Sequence, residues 1–518
     1  MIVMVGLLLM AAVVATPFGI SAQDGASVQG VDDSAQTGIN FQHTGTSADG
    51  ADVNVQLLPQ GGGTAVDLPV ISLGQNGVGN IFLPFAQTVG GGEVPAGDYS
   101  LVASSDDSIG AIVRTEFPNT GAAGIYGSVA PGETVVVPLV TREYAGQTSI
   151  ITVQSAGQSG STFDVAFVAL GDSLASPTLE NNDQNLDSGR SVTYDLRTSD
   201  FDSLVGGGGD ISPNGFLGFV QVTVTSGDPV VVQSLIDILG IGAATSFNGV
   251  PADSASQTLY APLLRANFFG DTGIQLVNAN DDPANVDITF LTDPISQEAG
   301  YAAQYTQSFQ IDGNGGFNAF QGPTGNSRGG TGIPETVGGP APDSLDGWLG
   351  AGIISSDQPL LAVVNDVAFS TGFAPTSQGT YNTVTATEAG SRFALPLVRS
   401  KNVTNQELTV GVQVLNIDPN NDAEVSITIT NSDEADAPET LPSRTIAAQE
   451  GSNFYFGDSI DGVDVPNLFD PIPGVGGWFG SAIVESTGGD IVVIVNDANF
   501  PGATSVFDSA NYNGIPLQ

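Results

Sequence analysis

Internal repetition constrains this chain more than any other feature. A hydrophobic strand ending in Pro-Leu and an arginine recurs three times, as Val137-Pro138-Leu139-Val140-Thr141-Arg142, Ala261-Pro262-Leu263-Leu264-Arg265 and Leu395-Pro396-Leu397-Val398-Arg399. Each copy is followed by an alternating strand that ends on an amide, at Gln154, Asn278 and Asn416. A Gly-led hydrophobic pair then closes the unit, and two copies of it carry Val-Asn-Asp-x-x-Phe, at Asn365-Asp366 and Asn496-Asp497. Thr37 to Phe117 reads as a fourth copy without the opening strand. A repeat of about 130 residues describes a set of similar modules, and such sets bind, span or assemble more often than they catalyse.

The boundaries follow from these marks. Residues 1–22 are expected to be a signal peptide, 23–36 a linker, 37–120 module one, 128–245 module two, 252–375 module three, 383–510 module four and 511–518 a tail. Each module alternates apolar and polar residues in short runs separated by Gly, Pro, Asn and Asp, which predicts an all-β fold of Ig-like antiparallel sandwiches. The mid-module strands Gly79-Asn80-Ile81-Phe82, Arg190-Ser191-Val192-Thr193, Gln307-Ser308-Phe309-Gln310 and Ser452-Asn453-Phe454-Tyr455 are read as equivalent, as are Trp348 and Trp478. Module three carries the longest irregular stretch, Asp312 to Asp346.

At the N-terminus, Ile2 to Val14 is apolar and Ile20-Ser21-Ala22-Gln23 offers a small-residue cleavage site after Ala22, although no Lys or Arg precedes the run. The pattern predicts export, to the cell surface or beyond. The chain has no cysteine, which excludes disulfides, thiolate metal sites and a cysteine nucleophile. Its 10 Lys+Arg against 55 Asp+Glu give a formal net charge of −45. Nucleic acid is excluded as a partner, because phosphate contacts need a basic face, and an anionic membrane surface is disfavoured for the same reason. The 41% of hydrophobic residues still allow a buried core.

This modular pattern resembles the tandem β-sandwich proteins of the bacterial cell surface, including surface-layer-like and adhesin-like modules. The resemblance covers nearly the whole mature chain. It implies a structural or adhesive role outside the cell and assigns no catalytic residue.

Enzyme signatures are weak. His43 is the single histidine, at the strand end that holds amides in other copies, so a turn or cap role is expected. Asp271-Thr272-Gly273 and Asp187-Ser188-Gly189 look like aspartic-protease tripeptides, but two such carboxylates must share a proton, and the first is better read as a strand start. Acidic turns at Asp281, Asp282, Asp418, Asn420 and Asp422 supply hard oxygen ligands suited to Ca²⁺, yet the same residues are ordinary turn formers. Arg142, Arg265 and Arg399 are read as one repeat position, pairing with carboxylates of their own or a neighbouring module. The reading is therefore a secreted, non-enzymatic structural or self-assembling protein whose partners are copies of itself or envelope components. An adhesin or carbohydrate-binding array, touching polysaccharide, is one alternative and a secreted hydrolase another. The module without an opening strand is expected to offer an edge to a neighbouring molecule, with Tyr512 to Gln518 as the donated strand.

Overall fold

Period-2 patterning becomes strand throughout the computed structural model, which describes residues 35–517 apart from 61, 118–121, 208–214, 239–242, 269, 321–346, 370–374, 401–407, 433–435, 472–476 and 500–508. The expected leader, nearly all of the linker and most of the loop within 312–346 lie outside the described residues.

Module one holds β1 (Gln36–His43), β2 (Ala51–Pro59), β3 (Val66–Asp67), β4 (Ile71–Leu73), β5 (Val78–Phe82), β6 (Tyr99–Ser105), β7 (Ile109–Phe117) and β8 (Ala122–Gly127). Module two holds β9 (Thr134–Arg142), β10 (Gln147–Ser155), β11 (Ser161–Ala169), β12 (Leu179–Leu186), β13 (Ser191–Asp195), β14 (Phe216–Gly227), β15 (Val230–Ile238), β16 (Ala243–Asn248) and β17 (Val250–Pro251). Module three holds β18 (Ser256–Ala266), β19 (Asp271–Asn278), β20 (Ala284–Thr292), the short helix α1 (Pro294–Glu298), β21 (Gln304–Ile311), β22 (Gly316–Phe320), β23 (Trp348–Phe369), β24 (Pro375–Asn382) and β25 (Val384–Thr385). Module four holds β26 (Arg392–Ser400), β27 (Leu408–Asn416), β28 (Ala423–Asn431), β29 (Glu439–Thr440), β30 (Arg444–Ile446), β31 (Gly451–Tyr455), β32 (Ser459–Ile460), β33 (Val463–Asp464), β34 (Trp478–Thr487), β35 (Ile491–Asn499), β36 (Ser509–Asn513) and β37 (Ile515–Pro516).

Every module is a two-sheet antiparallel sandwich. The front sheets run β5-β1-β7-β8, β13-β10-β15-β16, β22-β19-β23-β24 and β31-β27-β35-β36. The back sheets run β12-β11-β14-β9-β17, β21-β20-β23-β18-β25 and β29-β28-β34-β26-β37, and in module one β2 pairs with β3, β4 and β6 only. In module three β23 is one long strand serving both sheets, with β18 and β20 on its first half and β19 and β24 on its second.

Several boundaries move. Module one continues past 120 into β8, which completes its front sheet. Residues 511–518 are no separate tail: β36 pairs with β35 and β37 pairs with β26, so Tyr512 to Pro516 is spent within module four and cannot be the strand given to a neighbour. Gln307–Gln310 is not the counterpart of Arg190–Thr193. It lies in β21 on the back sheet, and β22 takes the equivalent front-sheet place. Its alternation resembled the others because both are edge strands with one buried face.

The Pro-Leu signature is a β-bulge. Pairing skips Pro138-Leu139, Pro262-Leu263 and Pro396-Leu397, so two residues oppose one in each opening strand. Proline has no N–H to donate, and a bulge is where a sheet tolerates it. In module three the Tyr381 hydroxyl donates to Leu263 O at 2.5 Å and accepts from Leu263 N at 3.1 Å. In module four the Tyr512 hydroxyl donates to Leu397 O. Phe247 stands at that register in module two. A buried carbonyl without such a partner costs about 1–3 kcal/mol.

The modules do not form an open row. β8 packs on β16, β16 on β24, β24 on β36, and β36 returns to β8, closing a ring with one strand from each module around its centre. Each joint buries apolar side chains. Phe117 meets Ile150, Leu235 and Ala244; Val136, Val168 and Phe219 meet Val277 and Leu361; Tyr260, Leu291 and Val384 meet Leu415 and Val492. Ile112 and Ile125 of module one join the core of module four. Amides tie the carbonyls across the joints in one direction, Asn248 to Gly127 O at 2.6 Å and Asn513 to Asn382 O at 2.8 Å.

Candidate functional site

In modules three and four the polar chemistry gathers at one end of the sandwich, where the opening strand meets the front sheet. Arg265 donates to both oxygens of Asp366 through Nε and Nη2, each at 2.5 Å. Arg399 grips Asp497 in the same way, at 2.9 and 2.5 Å. Both aspartates have fully buried side chains. Burial pushes the Asp366 carboxyl upward, and Arg265 opposes that shift. A carboxylate this deep is tolerable only because the planar guanidinium meets both oxygens.

Arg142 is not at this position. By strand register, Arg265 faces Leu349 and Arg399 faces Phe479, one residue from the paired Trp348 and Trp478, whereas Arg142 faces Phe216 itself. Thr141 therefore occupies the arginine's place, and Ile236 occupies the place of Asp366 and Asp497. Arg142 instead donates to Leu196 O at 3.0 Å and to Asp202 at 2.5 Å. Thr115 holds the aspartate's place in module one, where no opening strand lies among the described residues. Arginine and aspartate are thus kept together or lost together.

An ion pair joins module one to module four. Arg114 of module one donates through Nη1 to Asp497 Oδ2 at 2.6 Å and through Nε to Glu116 at 2.5 Å. Asn496 reaches Asp366 from module four at 3.5 Å, the same relation one joint back. Arg114, Arg399 and Glu116 line a cleft of ≈ 190 Å³ between modules one and four, with Asn40, Phe82 and Phe479. Arg114 holds the Glu116 carboxyl below its ordinary value. The cleft offers balanced charges and no nucleophile with an adjacent base. The sequence missed this pair: Asp497 was visible in its motif, but nothing local links it to Arg114.

His43 is a structural hub. Its Nε2 lies 2.8 Å from Asp107 Oδ2, and Nδ1 accepts from Asn76 N at 3.3 Å. Asn278 and Asn416 pin loops from the same register, donating to Asp282 O at 2.8 Å and to Asn421 O at 2.9 Å. The residue of module two at that register is Ser155, not Gln154. Asp271 accepts from Asn267 N at 2.8 Å at a strand start, and Asp187-Ser188-Gly189 forms a turn in another module.

The acidic turns lie where the sequence put them. Asp281 accepts from Asn314 at 2.8 Å; Asp418 accepts from Asn420 N at 2.8 Å and Asn421 N at 3.0 Å; Asp422 accepts from Ala448 N at 3.2 Å. Hydrogen bonds from Asn421 and Asn420 lower the Asp418 carboxyl below its ordinary value. Asp282 lends its main-chain oxygen to Asn278. Among the described residues, no three His, Cys, Asp or Glu side chains gather as a metal site.

The Asp293 carboxyl is displaced upward as well. It caps α1 by accepting from Ile295 N at 2.9 Å, and burial, with repulsion from Glu450 of module four, pushes it up to about 6. Its hydrogen bond fixes it as a helix cap.

No protein-family model matches the chain, and no curated protein matches it. Among solved structures, Thermotoga maritima 1070 aligns at 11% identity over 25% of this chain and 95% of that chain, with TM-score 0.18. A biofilm associated protein BSP domain aligns at 7% identity over 92% and 90%, with TM-score 0.13. A serine-rich repeat protein (Srr2) from Streptococcus agalactiae aligns at 10% identity over 79% and 85%, with TM-score 0.11. Similarity this slight carries no argument about function.

Two outcomes follow. Arg265→Thr alone strands a buried carboxylate and should cost about 3–5 kcal/mol in urea unfolding. Arg265→Thr with Asp366→Ile copies Thr141 and Ile236 and should recover most of that loss; equal losses would refute the pairing. For Asp293, a raised carboxyl makes the ionised form a burden on the folded state above pH 6. That burden, about 3 kcal/mol, disappears as pH falls to about 4, where the unfolded carboxyl also protonates. Asp293→Asn should therefore be more stable than wild type at pH 7.5 and indistinguishable from it near pH 4.

Proposed function

We propose that the chain is an exported, non-enzymatic structural protein of the cell surface, in which four sandwiches form one rigid, strongly acidic ring. One observation carries this reading: every arginine among the described residues, and the single histidine, is engaged within the protein. Arg190 binds Pro59 O and Gly63 O, Arg197 binds Asp195 and Asp237, Arg392 binds Glu485, and Arg444 binds Asp461, alongside the pairs described above. Enzymes keep such groups facing substrate, with displaced acids and bases set against one another in a cleft. Here the displaced groups cap helices, close turns and join modules.

The charge fits the reading too. A ring of formal charge −45 repels its own copies and stays soluble, and divalent cations are the natural counter-ions through which such rings would associate. The turns around Asp281, Asp282, Asp418, Asn420 and Asp422 are where those ions would concentrate. Assembly would then run side by side, because closure of the ring uses up the module ends.

Fractionating cells that express the full chain tests the proposal. The expected result is a mature protein starting at Gln23 in the envelope or medium, with particle size rising on addition of millimolar Ca²⁺. Retention of an uncleaved chain in the cytosol would overturn the surface role. A particle size indifferent to Ca²⁺ would overturn association through the acidic turns.

A further inference from the structure

We propose that the outer edge of β6 in module one is an acceptor for a β-strand supplied by another polypeptide. The other modules show what is missing. β9 lies against β14 from Thr134 to Arg142, β18 against the first half of β23, and β26 against β34. β6 occupies the corresponding place in module one and pairs with β2 alone. Along its other side no strand pairs with it among the described residues, and its backbone meets only the Gln154 side chain, whose Nε2 donates to Leu101 O at 3.4 Å. An unpaired edge of seven residues is a template for strand addition.

The vacancy continues an interface that exists elsewhere in the ring. Each opening strand also packs on the front sheet of the next module, β9 on β19, β18 on β27 and β26 on β1. At the joint between modules one and two no such strand lies among the described residues, but its surroundings are built. Ser100 and Ser191 hydroxyls meet at 2.7 Å, and Gln154 Nε2 reaches across to Leu101 O at 3.4 Å. Gln154 Oε1 is buried there without a partner, although the residue is only 1% exposed. Thr115 replaces the buried aspartate, so the incoming strand need not carry the arginine that the native opening strands use.

The chemistry of the occupant follows. β9 buries Val135, Val137, Leu139 and Val140 in the core of its module. By the register that matches His43 with Ser155, the positions of Val135, Val137, Leu139 and Val140 fall on Gln23, Gly25, Ser27 and Val28 of the chain's own upstream sequence. That sequence therefore puts an amide, a glycine and a serine at core positions. Its C-terminal strands are already paired. The fitting occupant is an alternately apolar strand of a different protein, uncharged at core positions and flanked by Lys or Arg to suit an acceptor of charge −45.

Hydrogen exchange at the β6 amides tests this, with a peptide copying Thr134–Arg142 as donor and a Val135→Asp/Val137→Asp peptide as control. The expected result is fast exchange in the free full chain, slowed at least tenfold by the first peptide at about 100 μM and unchanged by the control. A grafted chain carrying the Thr134–Arg142 sequence in place of residues 23–31 supplies the donor at high effective concentration, and its Tm should rise by several degrees. Three results would overturn the proposal. One is β6 protection in the free chain that vanishes when residues 23–34 are deleted, which would make the occupant internal. Another is protection that grows with protein concentration together with dimerisation, which would make it a second copy. The third is no slowing with the peptide and no gain in the grafted chain.

Discussion

The opening strand is the element on which the rest of the structure depends, because it serves two sandwiches at once. β9, β18 and β26 complete the back sheet of their own modules and present the surface on which the next module's front sheet lies. A strand with both faces committed cannot alternate simply, and these run buried almost from end to end. The Pro-Leu bulge is a consequence. It twists the strand where one face changes partner, and the tyrosines of modules three and four satisfy the backbone it frees. The buried arginine follows the bulge by two residues in modules three and four and clamps the far sheet.

Ring closure turns four weakly similar sandwiches into one body. Interfaces repeat head to tail, and a head-to-tail contact either closes or propagates without end. Here Ile112, Ile125 and Arg114 of module one meet module four, ending the propagation. Buried ion pairs are poor sources of stability, since desolvation offsets most of the attraction. Module two dispenses with its pair and still folds the same way. In modules three and four the pairs specify which sheets meet, and the apolar joints hold them.

Much of the fold was legible in the sequence. The alternation forecast strands and sandwiches, and the equivalence of Trp348 and Trp478 survives as matching register against Ala266 and Ser400. The errors came from reading motifs without register. The extra Thr141 between Val140 and Arg142 turns that arginine to the opposite face, a one-residue slip that a motif absorbs and a strand does not. The same slip separates Gln154 from Ser155. The ring and the contact of Arg114 with Asp497 had no local signature, because they join segments at opposite ends of the chain. His43 was legible as a strand-end cap from its place in the repeat.

Closure between modules one and four is the central claim, and the absence of native cysteine makes it directly measurable. A side-chain carbon at Gly110 would meet Ile515 Cδ1, so the two positions face each other across the joint. A Gly110→Cys/Ile515→Cys variant, oxidised at low protein concentration, should form one disulfide within the monomer, seen as a faster-migrating band that reduction reverses. Free thiols after oxidation, or a disulfide found only in dimers and larger species, would contradict a closed ring.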